Sequence, residues 1–219
     1  MSADASRLFT SHTLVRRATG SSVPPAGFEP ATPAVARLTS VWLVNSLDAS
    51  ALIGLWDESP LDDPYMELPP SEALVLSIEE QLGYLLPSAY KELARLRNGG
   101  LLRRNAHPCP RPTTWAQDHV AVTGIFAVGR SAEYSLCGGL GQALWLDEWG
   151  YPPLGVYFAD TPSAGHDMLA LDYRQCGPVG EPAVVHVDQE VGYVITPIAP
   201  TFHAFIAGLV VADDAFLLD

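Results

Sequence analysis

Apolar positions follow two different rhythms along this chain. Between Ser71 and Gly83, Leu74, Ile78 and Leu82 recur at every fourth residue, with Val75 on the adjoining face. That spacing predicts an amphipathic helix over 72–82. Ser71 supplies a hydroxyl for the N-cap and Gly83 a left-handed stop. A second helix is predicted after Pro87-Ser88, burying Tyr90, Leu93 and Leu96 and ending at Asn98-Gly99-Gly100. At the other end of the chain, Phe202, Phe205, Ile206, Leu209 and Val210 fit one face of a C-terminal helix.

Between the helices the rhythm changes. Residues 101–118 read as a long loop carrying Pro108, Pro110 and Pro112, and His119–Val128 is a β-branched run read as one strand. Further short strands are predicted at Leu144–Leu146, Leu154–Phe158, Met168–Tyr173 and Val184–Val187. Ser163-Ala164-Gly165 and Cys176–Gly180 carry turn chemistry. No helices separate these strands, as a parallel sheet would require. The expected class is therefore α+β, a single domain with a mainly antiparallel twisted sheet, two N-terminal helices and a C-terminal helix packed on it.

The chain divides unevenly. Residues 1–45 are expected to be disordered or a mis-annotated extension, 46–70 an irregular lead-in, 71–212 the domain and 213–219 a tail. Segment 18–34 is built of small residues and prolines without a period. Within it, Gly27-Phe28-Glu29-Pro30 is what the complementary strand of a tRNA T-arm would encode, which suggests a start codon placed too far upstream. Met66 lies too close to the first helix to replace Met1, and a non-AUG start near 41–52 fits better. The lead-in holds the short apolar runs Val41–Val44 and Leu52–Trp56, then the acidic, proline-rich stretch Asp57–Pro64.

Composition narrows the function. Of 219 residues, 48% are hydrophobic, which excludes a disordered acidic tail. The net charge is −13, from 12 basic and 25 acidic residues. Residues 1–45 hold four arginines and two acids, a net of +2, so the remainder holds eight basic and 23 acidic residues, a net of −15. Lys91 is the single lysine, and the basic clusters are the pairs Arg16-Arg17 and Arg103-Arg104. Nothing here displaces counterions from nucleic acid or binds an anionic membrane. A basic partner protein is electrostatically permitted, while the plainer reading of the acidity is solubility. Cys109, Cys137 and Cys176 are isolated, as expected of reduced thiols in a cytoplasmic protein, and no stretch is long enough to span a membrane or to act as a secretory signal.

Catalytic signatures are missing: there is no GxSxG, HExxH, Walker A or dinucleotide fingerprint. Gly138-Gly139-Leu140-Gly141 reads as a turn. The densest chemistry is Asp160, His166, Asp167, Asp172, His186, Asp188 and Glu190, which could ligate a metal or supply an acid and a base, or simply cap strand ends. Nothing near Cys137 or Cys176 suggests an activated nucleophile. Trp145-Leu146-Asp147-Glu148-Trp149 sets aromatics beside acids, a composition shared by cores and by protein interfaces. No catalytic residue, metal ligand or cofactor is assigned. Trp145, Asp147, Glu148, Trp149, Asp160, His166 and Asp167 are the candidate protein-binding residues.

A longer pattern joins these segments. Ile78-Glu79, Leu82-Gly83, Leu86-Pro87, Tyr90 and Asn98-Gly99-Gly100 are followed by Phe158-Ala159, Leu171-Asp172-Tyr173, Gly180–Val185, Ile198-Ala199, Phe202 and Phe205. From about Ser71 to Val210 this resembles the SUKH superfamily, in the branch that includes yeast regulators of cell-wall glucan synthesis and many bacterial immunity proteins. The resemblance implies a non-enzymatic, cytoplasmic immunity protein that neutralises a cognate toxin by binding it. The acidic surface suits a basic toxin such as a nuclease. The second reading is a regulatory interaction module of the yeast type. A third reading is a small-molecule or metal-dependent domain using His166, Asp167 and His186. Oligomeric state is left open.

Overall fold

The computed structural model describes residues 47, 49–58, 62–113 and 116–212. The extension 1–45, with its Val41–Val44 run, the tail 213–219 and Ser59–Leu61 of the acidic stretch lie outside the described residues. A short helix α1 (Ala49–Leu52) leads into an extended strap. Then come α2 (Glu72–Leu82) and α3 (Ser88–Leu96). Four short strands follow: β1 (Gly100–Leu101), β2 (Ala106–Pro108), β3 (His119–Ala121) and β4 (Gly124–Ile125). The long hairpins β5 (Gly155–Asp160), β6 (Asp167–Asp172), β7 (Ala183–Asp188) and β8 (Val194–Ala199) complete the sheet, and α4 (Phe202–Gly208) closes the fold.

The main sheet has six strands in the order β1-β4-β5-β6-β7-β8, every pair antiparallel. β2 and β3 form a separate antiparallel pair. This is the expected α+β class. Ser71 Oγ accepts from Leu74 N at 3.2 Å, and Gly83 ends α2 at φ 77°. Glu79, on the buried face of α2, accepts from Leu86 N and from Lys91 Nζ, each at 2.9 Å, and so ties α2 to α3. Phe158 of β5 meets Tyr90 of α3 and Phe202 and Phe205 of α4 through edge-on ring contacts. All four rings are almost fully buried. Each phenylalanine contributes roughly 2–3 kcal/mol relative to an exposed ring.

Two glycines are required by close approaches. Gly99 sits at φ 81°, and a Cβ there would meet Tyr65 O at 2.2 Å. At Gly124 a Cβ would lie 2.6 Å from the ring of Tyr65. The lead-in strap thus lays Tyr65 flat over β4. Asn98 secures the same strap: its Nδ2 donates to Leu68 O and Val128 O, and its Oδ1 accepts from Val128 N at 2.7 Å.

Several expectations are corrected. Leu144–Leu146 is not a strand but part of a π-helical turn, Leu144–Glu148, closed by Trp149 N donating to Leu144 O. Three apolar residues are too few to distinguish the two periods, and the indole of Trp145 donates to Leu140 O at 2.8 Å, which favours the turn. The run 119–128 breaks at Val122-Thr123: β3 pairs with β2, whereas β4 pairs with β1 and β5. The supposed loop 101–118 contains β2 and the end of β1. β8 was not expected because Pro197 interrupts it; at the outer edge of the sheet a missing N–H is tolerated. Leu96 is exposed: it is the last residue of α3 and lies at the margin of the buried stripe formed by Ala89, Tyr90, Leu93 and Ala94. Val210 lies beyond α4 and is also exposed, whereas Leu209 is buried.

Candidate functional site

The candidate residues converge on one end of the sheet, where the β5–β6 turn, the β7–β8 turn and the π-helical segment meet. They separate there into a buried polar network and an exposed rim.

Asp167 opens β6, and register places it opposite Asp188 of β7. Its Oδ2 lies 2.6 Å from His186 Nε2, and its Oδ1 accepts from Thr161 Oγ1 at 2.5 Å. Thr161 lies 2.7 Å from Ser163 Oγ, which in turn accepts from Asp167 N at 3.0 Å. All four residues are buried. Burial alone would raise the carboxyl pKa, but the bonds from His186, Ser163 and Thr161 outweigh it and hold Asp167 below the ordinary 3.8.

Asp160 closes β5 seven residues earlier. Its register partner is Met168, the neighbour of Asp167, so the two aspartates point to opposite faces. Asp160 Oδ2 accepts from Tyr65 Oη at 2.8 Å, and Tyr65 stacks on Tyr134 at 4.2 Å. Burial dominates here and pushes the Asp160 carboxyl up to about 7.

The rim is formed differently. Trp145 is buried, edge-on to Tyr151, and serves the core. Asp147 and Glu148 are exposed, and Trp149 is half-buried. His166 is exposed, pairs through Nδ1 with Glu190 Oε1, and meets the Trp149 ring edge-on at 5.8 Å. Tyr193 Oη donates to the carbonyl of Trp149. Four of the seven candidates, Asp147, Glu148, Trp149 and His166, therefore reach solvent on one rim, while Trp145, Asp160 and Asp167 lie beneath it.

Asp172 is not part of this end. It sits at the far end of β6, bidentate to Arg174 at 2.9 and 2.7 Å, and accepts the turn amide of Arg174. Among the described residues no three His, Cys, Asp or Glu side chains are grouped as a metal would require. Burial pushes the thiols of Cys137 and Cys176 up, the reverse of nucleophile activation. Tyr65, Thr161, Ser163 and Tyr193 were not anticipated. The Thr-x-Ser spacing ahead of Asp167 is the signal that could have revealed two of them. Tyr65 comes from a strap whose partner is far away in sequence.

The chain matches known proteins at the level of a family. The sequence model of the SMI1 / KNR4 family (SUKH-1) matches residues 69–208. No curated protein and no solved structure matches the chain.

Proposed function

The chain belongs to the SMI1 / KNR4 family (SUKH-1), and from that premise we propose that it is an immunity protein acting in the cytoplasm, which binds and neutralises a cognate toxin domain and performs no reaction of its own. The toxin is a basic protein, a nuclease being the best fit. The observation that carries this reading is charge: outside residues 1–45 the chain holds 23 acids against eight bases. Carboxylates of that density can occupy a cleft built for phosphates. Asp147, Glu148 and Glu190 stand exposed around Trp149 at one end of the sheet, an aromatic anchor ringed by acids. The Asp167 carboxylate is taken up by internal hydrogen bonds with His186 Nε2 and Thr161, which favours a binding role over a reactive one.

The direct test is capture of the C-terminal domain of a toxin encoded beside this gene, together with protection of cells that express it. Capture weakened by 0.5 M salt and by Trp149→Ala is the expected result. Neither capture nor protection, with every neighbouring toxin domain, sinks the reading. In that case a regulatory interaction role becomes the better account, marked by a gene neighbourhood without a secreted toxin.

A further inference from the structure

The β7–β8 hairpin carries a cavity that the exposed rim does not use. Paired residues in an antiparallel sheet share a face, so His186 with Thr196, and Asp188 with Val194, project to one side. With Val191 and the Pro112-Thr113 segment they line a cavity of about 200 Å³. His186 is only 1% exposed. Its Nε2 is committed to Asp167, whereas its Nδ1 is buried and has no hydrogen-bond partner. A buried polar atom left in that state is destabilising unless something pairs with it. The ring is held in place by one nitrogen, and the other borders the cavity side of the hairpin with no partner of its own.

The lining restricts what that ligand is. In the neutral ring that donates its Nε2 proton to the Asp167 carboxylate, Nδ1 is a lone-pair acceptor. Asp188 contributes negative charge and Thr196 a hydroxyl, and no lysine or arginine is among the lining residues. Acceptors and negative charge call for a cation rich in N–H donors. Val191 and Val194, each 51% exposed, give the cavity an apolar border on which an aliphatic stem packs.

We propose that this cavity receives the cationic end of an arginine or lysine side chain of the partner, hydrogen-bonded to His186 Nδ1. The inference rests on the reading of the protein as a binder of a basic partner, and it supplies that reading with a second anchor. Arginine fits best, because its guanidinium presents several donors in a fixed fork.

The full chain can be titrated with methylguanidinium chloride, with methylammonium chloride and with sodium chloride at matched ionic strength, following the imidazole nitrogens by long-range proton–nitrogen correlation. A saturable shift of His186 Nδ1 at millimolar concentration is expected with the organic cations and not with sodium chloride. Val194→Trp fills the border from an exposed position and is expected to weaken that response by about tenfold or more, equivalent to about 1.4 kcal/mol. No saturable shift at His186, an equal shift with sodium chloride, or an undiminished response in Val194→Trp overturns the proposal. No partner protein enters this titration, so failure to find a toxin and failure of the cavity are separate results.

Discussion

Asp160 and Asp167 flank one turn, are both buried and belong to the same hairpin, yet their carboxyls move in opposite directions. Asp167 accepts from a histidine and a threonine, and its ionised form is favoured despite burial. Asp160 has one hydroxyl donor, Tyr65, and is driven to about 7. Burial therefore sets only the cost of a charge. The number and kind of donors around the carboxylate decide whether the charge survives. Strand alternation makes the contrast possible, since it sends the two side chains into different surroundings on the two faces of one sheet.

The largest expected effect breaks the Asp167 side of this comparison. Asp167→Ala leaves His186 Nε2 and the Thr161 hydroxyl buried without their acceptor, and should cost about 3–5 kcal/mol in urea unfolding at pH 7. A loss under about 1 kcal/mol would show that the network does not hold the turn. The same carboxyl has its folded pKa below its unfolded value, so its stabilisation is present above about pH 4 and is lost as pH falls through the folded value.

Asp160→Asn probes the other side, with the opposite sign. The folded pKa of about 7 exceeds the ordinary 3.8, so the folded state binds more protons between these values. The contribution of Asp160 is full below about pH 4, falls as pH rises to about 7, and levels off above. Asp160→Asn removes the charge and keeps an acceptor for Tyr65. It should be more stable than the parent at pH 8 by about 1–3 kcal/mol, with the difference shrinking towards zero by pH 4. Unfolding curves at the two pH values check this, and a pH-independent difference would contradict it.

Tyr65→Phe sharpens the contrast further. It deletes the donor to Asp160 and should cost about 1–2 kcal/mol. Because that bond lowers the carboxyl pKa, its loss should move the Asp160 titration upward, which carboxyl-selective NMR would read. The smallest effect belongs to the rim. His166→Ala disrupts an exposed pair with Glu190 and should change thermal stability by no more than about 0.5 kcal/mol, while still weakening partner capture.

Legibility in the sequence followed the range of the forces involved. α2 was readable to the residue because its caps, Ser71 and Gly83, and its periodic leucines are local. β5, β6 and β7 were recognisable as short apolar runs bounded by turn residues. The π-helical turn was misread because its cause, the Trp145 indole bond and the i+5 closure, leaves no period in three residues. The break between β3 and β4 was hidden because the Tyr65 ring that requires Gly124 arrives from 59 positions away. The candidate cluster was real as a neighbourhood for Asp160, His166, Asp167, His186, Asp188 and Glu190. Its division into buried and exposed halves depended on strand register, which single-strand patterns do not encode. His186 entered the reading only as a possible acid, base or ligand, and its unpartnered nitrogen is visible only in three dimensions.

Pro197 on the outer strand has a consequence for how a partner could ever be chosen. With a donor missing from that edge, a neighbouring chain cannot extend the sheet through a continuous backbone ladder. Backbone pairing is indifferent to sequence and would accept many strands. With that route blunted, the proposed binding role falls to side chains such as those on rim and cavity, which can be exchanged one at a time without breaking the sheet. On that reading a change of target proceeds in small steps, one side chain at a time, with the backbone edge at Pro197 offering no shortcut.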